Sequence, residues 1–308
     1  MCIPLLTSVG YDLTFATALV AVSGSLGIII PPSIPYIMYC NASGASISEL
    51  FLAGFLPGVL IALCLMVYSY IYCKIHGEDK DKLNAKCMEL RAKGLGTVLK
   101  EGFWALMSPV IILGGIYGGI CSPTEAATIS IFYSLIVSLF IYRTIKIRDL
   151  PKIMLEGIHS YAPILIILSA AVAFARVITL MNVATIVSEA VLSAISSKVV
   201  ILLLINVLLL FVGMIMDTGP AILVFTPVLL PVAEAIGVDP IHFGIIMCVN
   251  LAIGFVTPPM GANLFVASNL SKVSVFDIAR KAVPFILAFL IALLLITFVP
   301  QISMFLLQ

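Results

Sequence analysis

Gly27-Ile28-Ile29-Ile30-Pro31-Pro32-Ser33 and Gly254-Phe255-Val256-Thr257-Pro258-Pro259-Met260 decide the fold. Each sets a Pro-Pro pair inside strongly apolar sequence, and the two pairs lie 227 residues apart. The same offset, without a gap, matches Pro4 to Pro231, Gly10 to Gly237, Asp12 to Asp239 and Pro57 to Pro284. A proline pair removes two backbone donors and disfavours helix at the residue before it. Carbonyls freed in this way inside lipid must find another partner. A repeat that breaks apolar helices at symmetric places points to a secondary transporter. There, broken helices present backbone groups to ions and substrate at mid-membrane.

Composition fixes the class. Of 308 residues 62% are hydrophobic and 10% charged, and mean hydropathy is +1.23. Soluble domains carry about 25% charged residues, so the chain reads as an all-α polytopic membrane protein with the lipid bilayer as its solvent. The net charge of +1 gives no electrostatic case for nucleic acid. Seven scattered cysteines without a CxxC pair read as small apolar fillers, and three histidines without close partners argue against a zinc site. Met1-Cys2-Ile3-Pro4 lacks the basic n-region of a signal peptide. No P-loop, HExxH or paired-acid set occurs in the spans, which argues against an enzyme.

A spanning helix needs about 20 apolar residues. Residues 13–39, 50–73, 103–120, 124–142, 161–180, 199–236, 241–268 and 281–300 supply the candidates. Residues 74–100 hold seven Lys/Arg and residues 143–152 hold four, so both are expected on the cytoplasmic side. Residues 41–49 have no Lys or Arg, whereas their counterpart, 269–281, has Lys272, Arg280 and Lys281. Counterpart loops are therefore expected on opposite sides, which makes the halves an inverted-topology repeat. Residues 199–236 suit either two short crossings or a re-entrant hairpin turning at Asp217-Thr218-Gly219-Pro220. No basic residue accompanies Asp217, and the hairpin is the preferred reading.

Hard cations take oxygen ligands, and helix C-terminal carbonyls supply negative potential. Gly27, Ile30 and Ser33 at one break, and Gly254, Thr257 and Met260 at the other, are candidate sodium ligands. The competing reading is a plain kink satisfied by neighbouring helices. Asp217 is an acid in an apolar run; it binds ion or substrate, or it caps the helix that follows. Glu125 reads first as a helix-start residue after Ser122-Pro123-Thr124. Arg176 reads first as a snorkelling side chain, with contact to an anionic substrate as the alternative. Asn250 and Asn263 flank the second break, and Asn263 is placed for a polar contact to substrate or to the hairpin backbone.

The strings SLGIIIPPSIPYIMY, PVIILGGIYGGICSPTEAA, GMIMDTGPAILVFTPVLLPVA and GVDPIHFGIIMCVNLAIGFVTPPMGANLFVA resemble the large membrane subunit (DctM/SiaM-like) of tripartite ATP-independent periplasmic (TRAP) transporters. The resemblance covers essentially the whole chain. It implies an elevator-type secondary transporter of the ion-transporter superfamily fold, with re-entrant hairpins and broken helices, in the bacterial inner membrane. Sodium would drive import of an organic acid such as a C4-dicarboxylate or a sialic acid. A periplasmic solute-binding protein (DctP-like) would deliver it, and a small four-helix membrane subunit (DctQ-like) would brace the permease. Carried onto these positions, Gly213 joins the sodium set. Asp217, Thr218 and Asn263 become the substrate candidates, and Pro31, Pro32, Pro258 and Pro259 the structural breaks.

The expected organisation is residues 1–73 as the later part of the first repeat, 74–100 as a charged linker, and 101–308 as the second repeat. The second repeat holds a hairpin at 199–236, a broken helix at 241–268 and a last helix at 281–304. The offset applied to Glu101 places about 125 first-half residues ahead of residue 1. Competing classes are a binding-protein-independent carrier of the same wider fold and an ABC permease. The latter needs a coupling helix for which residues 74–100 are the lone candidate.

Overall fold

The computed structural model describes residues 2–77 and 80–307, and every regular element among them is helical. In chain order they are α1 (Cys2–Ser8), α2 (Leu13–Gly24), α3 (Leu26–Ile29), α4 (Ile34–Ser43), α5 (Ile47–His76), α6 (Lys80–Lys93) and α7 (Leu95–Tyr117). Then come α8 (Pro123–Ile136), α9 (Leu150–Leu180), α10 (Val183–Ala194), α11 (Lys198–Ile215) and α12 (Thr218–Ala235). The last four are α13 (Pro240–Gly254), α14 (Ala262–Ser271), α15 (Val275–Phe298) and α16 (Gln301–Met304). Among the described residues eight helical segments are long and apolar enough to cross a membrane. The chain forms two compact units, residues 1–83 with 171–308, and residues 84–170.

In the first unit, α13 is the axis. Every residue from Ile241 to Gly254 is buried, as expected of a helix apolar on all sides. Local chemistry sets its start: Asp239 accepts from the amides of Ile241 and His242, and Pro240 occupies the first turn. Asp12 caps α2 in the same way, accepting from Phe15 N at 2.9 Å, and Gly10 and Gly237 both hold positive φ. The caps therefore recur at the 227-residue spacing of the sequence repeat.

The two broken helices interlock crosswise. The first half of one packs on the second half of the other: α2 lies against α14, and α13 against α4. Glycines admit the partner side chains. A Cβ on Gly244 of α13 would sit 2.5 Å from the Tyr39 ring of α4, and one on Gly54 of α5 would sit 2.5 Å from Tyr36. Both tyrosines are fully buried. Tyr39 donates its hydroxyl to Pro240 O at 2.6 Å, and Asn263 Nδ2 of α14 donates to Ala21 O of α2 at 3.2 Å.

Contacts also define the two ends of this unit. Phe15, early in α2, stacks on Tyr72, late in α5, with ring centroids 3.7 Å apart. Lys281, early in α15, lies 5.5 Å above the same Tyr72 ring. At the other end Tyr39 meets the start of α13, and Ser303 of α16 hydrogen-bonds His242 Nδ1 at 2.6 Å. Ser46, the N-cap of α5, is separated from Tyr72 by about 39 Å of helix at ~1.5 Å per residue.

The second unit centres on the α7–α8 hairpin. Tyr133 donates to Trp104 O at 2.7 Å, Tyr142 to Glu101 O at 2.6 Å, and Ser108 bonds Ser130 at 3.1 Å. Glu125 is the helix-start residue its sequence context suggests: with Ser122 it forms a capping box.

Three boundaries differ from expectation. The last helix begins at Val275, not 281, because Asp277, Arg280 and Lys281 lie on its first turns while Ile278, Ala279 and Ala282 turn inward. It stops at Phe298, with Pro300 two residues on, and α16 is a separate turn. Residues 74–100 are largely helical: α5 reaches His76, α6 covers Lys80–Lys93 and α7 starts at Leu95. Helix α10, packed on α12, falls in a stretch given no element from sequence.

A buried polar ladder ties α11, α13 and α15. Asn250 Nδ2 donates to Asn206 Oδ1, Asn206 Nδ2 to Thr297 Oγ1 at 3.1 Å, and Thr297 Oγ1 to Leu293 O at 2.8 Å. All three side chains are buried. Interhelical hydrogen bonds within membranes average about 0.6 kcal/mol and reach about 1.7. Asn206→Leu and Asn250→Leu are each expected to destabilise by roughly 1–2 kcal/mol. The double variant should lose clearly less than their sum, as read by thermal unfolding in detergent. Strict additivity would show that the ladder does not act as one unit.

Candidate functional site

At the first break α3 ends at Ile29 and Ile30 turns extended, its amide still bonded to Leu26 O at 2.8 Å. Ser33 is extended and N-caps α4, and its hydroxyl donates back to Ile28 O. At the second break α13 ends at Gly254, and Thr257 Oγ1 donates to Ile253 O at 2.8 Å. Thr257 N bonds Gly254 O at 3.1 Å, and Gly261 N bonds Thr257 O at 3.2 Å. The Pro31–Pro32 and Pro258–Pro259 peptide bonds are both cis. In each break a hydroxyl next to the proline pair, Ser33 after the first and Thr257 before the second, donates to a carbonyl near the end of the preceding helix. Ser33 Oγ also accepts from Tyr36 N at 3.5 Å as the cap of α4, and each hydroxyl oxygen keeps a lone pair to accept with.

The second break does not stand alone. Met260 N donates to Met214 O at 3.2 Å, joining the loop to the end of α11. Gly213 and Gly254 meet backbone to backbone: a Cβ on Gly213 would lie 3.4 Å from the Gly254 Cα, and one on Gly254 would run into the Gly213 carbonyl. Gly213, Gly254, Thr257 and Met260, spread over 48 positions of sequence, are thereby brought together. Gly27, Ile30 and Ser33 share the first break, but their surroundings differ. Gly27 is exposed, with nothing within 4 Å of an added Cβ. The position that the repeat pairs with Gly213 falls ahead of residue 1.

The hairpin tip is tighter than the sequence reading placed it. Helix α11 ends at Ile215 and α12 starts at Thr218, so only Met216 and Asp217 turn the chain. Gly219 and Pro220 already lie in the first turn of α12, where proline needs no donor. Asp217 is exposed and caps α12, accepting from Thr218 N at 2.8 Å. Thr218 is buried, and its hydroxyl has no hydrogen-bond partner among the described residues. Asn263, at the start of α14, turns its side chain away: the amide bridges to Ala21 O and to Ser25 Oγ, each at 3.2 Å. It touches the opposite broken helix rather than the hairpin backbone. Arg176 is exposed.

Electrostatics follow from helix ends. Helices α11 and α13 finish here and α12 and α14 start here; Thr218 N is bonded to Asp217 Oδ1 and Asn263 N to Phe255 O, while the amides of Gly219 and Ala262 have no partner among the described residues. Such a place offers neutral oxygens to a cation and N–H groups to an anion. Among the described residues no three His, Cys, Asp or Glu side chains cluster as metal ligands. Any cation held here would therefore rest on carbonyl and hydroxyl oxygens. Sequence reasoning missed His242 of α13 and Asn206, Thr297 and Ser303, the polar side chains that pack around that helix. Asn206 carried a signal, as the one amide within an otherwise apolar stretch from Val199 to Val212.

Residues 1–302 match the family described as "Tripartite ATP-independent periplasmic transporter, DctM component". The chain is 43% identical over 308 residues to the isethionate TRAP transporter permease protein DctMQ of Oleidesulfovibrio alaskensis, covering 99% of this chain and 47% of that one. It is 38% identical to the C4-dicarboxylate TRAP transporter large permease protein DctM of Pseudomonas aeruginosa, covering 96% and 68%. It is 35% identical to the sialic acid TRAP transporter large permease protein SiaM of Vibrio cholerae, again covering 96% and 68%. The chain thus spans about half of the first relative and about two thirds of the other two.

The glycine contact makes a direct prediction. Gly254→Ala must part α11 from α13 and should cost about 1–3 kcal/mol of stability. Gly27→Ala, in open space within a helix, should cost nothing or stabilise slightly. Thermal melts of the two purified variants check this, and equal melting temperatures would contradict the contact.

Proposed function

Because the chain belongs to the DctM component family of tripartite ATP-independent periplasmic transporters, we propose that it is the sodium-coupled permease of an organic-acid importer. The family is one of transporter components and not of enzymes, and this member is a multi-pass protein of the bacterial inner membrane with eight candidate spans. The observation that carries the proposal is the convergence of two helix C-termini and two helix N-termini beside the Pro258-Pro259 break.

Sodium is assigned to the oxygens of Gly213, Gly254, Thr257 and Met260, with Gly27, Ile30 and Ser33 as the counterpart set. Neutral oxygens at the negative ends of α11 and α13 suit a small hard monovalent cation. The acid group of the substrate is assigned to the amide ends of α12 and α14, with Thr218 and Asn263 as polar neighbours and Asp217 ordering the tip. Relatives named for isethionate, C4-dicarboxylate and sialic acid support a shared requirement for an anionic group. That group need not be a carboxylate, since helix N-termini bind sulfonate and carboxylate by the same N–H donors.

The halves are read as an inverted repeat. In support, α2 begins at the end where Tyr72 and Lys281 meet, and α13 begins at the end marked by Tyr39 and Ser303. With Lys74, Arg280 and Lys281 toward the cytoplasm, the hairpin and broken helices would move together as the elevator. A DctQ-like subunit and a DctP-like binding protein complete the assembly; the relative named DctMQ is consistent with the former.

The test is sodium-driven uptake by the full-length permease with its partners. Losing one oxygen ligand worth about 1.4 kcal/mol raises the sodium half-saturation about tenfold. Thr257→Ala should show this, with binding-protein affinity unchanged and Thr257→Ser restoring the original value. An unchanged half-saturation in both Thr257→Ala and Ser33→Ala would leave the breaks as plain kinks.

A further inference from the structure

We propose that the turn between α8 and α9 is a binding site for the headgroup of an anionic phospholipid. After α8 the chain makes a π-helical turn, Val137–Ile141, and Arg143 adopts a left-handed φ of 52°. A 3-10 turn, Ile147–Asp149, then leads into α9. This path encloses an open groove of about 500 Å³. Its floor is apolar, formed by Leu139, Phe140, Ile145 and Ile147; its rim carries Arg143, Lys146 and Arg148.

The rim carries three cations against one nearby carboxylate, Asp149. Among the described residues no carboxylate forms an ion pair with Arg143, Lys146 or Arg148. Lys152, by contrast, lies 3.9 Å from Glu156. The local acid, Asp149, is occupied in accepting the backbone amide of Lys146 at 3.0 Å. Arg143 Nε donates to Phe140 O at 3.4 Å, and both residues line the groove. The three basic side chains are exposed, and so are Phe140 and Ile147, at 65% and 70%.

This combination selects the occupant. A soluble anion would use the cations and leave the apolar floor wet. A phospholipid uses both: its phosphate meets the basic rim, and its acyl chains run along Phe140 and the adjoining apolar residues. The groove lies at the end of a candidate span, Pro123–Ile141, in a loop whose basic residues mark the cytoplasmic leaflet, where anionic lipids attract such clusters.

Native mass spectrometry of the purified protein with phosphatidylglycerol or cardiolipin tests the site, with phosphatidylcholine as the neutral lipid. Three lost charges should weaken anionic-lipid binding about a hundredfold in the Arg143→Gln/Lys146→Gln/Arg148→Gln variant. The matched Lys272→Gln/Arg280→Gln/Lys281→Gln variant should keep it. All three rim side chains are exposed, so folding should persist, and a monodisperse elution profile checks that. Phe140→Ser supplies the second arm and should weaken lipid retention without touching a charge. Three results would overturn the proposal: equal retention by the rim variant, equal retention of phosphatidylcholine, or displacement of the lipid by millimolar inorganic phosphate alone.

Discussion

Backbone groups freed by a broken helix inside an apolar protein need partners, and in this chain the partners come from the opposite broken helix and from the break itself. Each half of one broken helix lies on the opposite half of the other, α2 on α14 and α4 on α13. The fit of α4 on α13 depends on Gly244 facing Tyr39, and α4 is seated on α5 by Gly54 facing Tyr36. Hydroxyls of Ser33 and Thr257 close the local gaps. Buried, unpaired backbone polar groups cost several kcal/mol each in lipid. The rest of the first unit is arranged around meeting that demand.

The consequence is a set of fixed dipoles. Helix α13 is buried along its whole length, and its C-terminal end meets that of α11. The close approach of Gly213 and Gly254 leaves no room for side chains between the two helix ends. Asn206, Asn250 and Thr297 hold the same helices together further back, and Asn250 Oδ1 stays buried without a partner among the described residues. A site of this kind uses backbone geometry instead of ionised side chains. That chemistry is what the proposed sodium site requires.

Much of this was legible because it is local. Proline pairs break helices wherever they occur, and Asp12 and Asp239 cap whatever follows them. Gly10 and Gly237 supply positive φ where the chain turns. The gapless offset made these features visible twice. What escaped was either amphipathic or tertiary. The linker read from the charges between residues 74 and 100 is mostly helix, since charged residues such as Lys and Glu are good helix formers. Helix α10 is interrupted by Ser188, Glu189 and Ser193, so hydropathy alone passed it over. The start of α15 was hidden by Asp277, Arg280 and Lys281, which occupy its outer face. The partner of Asn263 on α2 lies 242 residues away, and no local pattern encodes it. Of the candidate site, Gly213 meets Gly254, and Met260 of the second break bonds Met214 at the end of α11. Asn263 points to a different neighbour, and Gly27 faces open space.

The inverted crossing of the two halves is the claim on which the functional reading rests. Ser46 and Ser274, the exposed residues that precede α5 and α15, stand within one position of the 227-residue spacing of the repeats. Placed singly as cysteines in a background without the seven native ones, they can be labelled with a membrane-impermeant maleimide in cells and in inverted vesicles. The account predicts labelling of Ser46→Cys from the periplasmic face and of Ser274→Cys from the cytoplasmic face. Labelling of both from one face would contradict it.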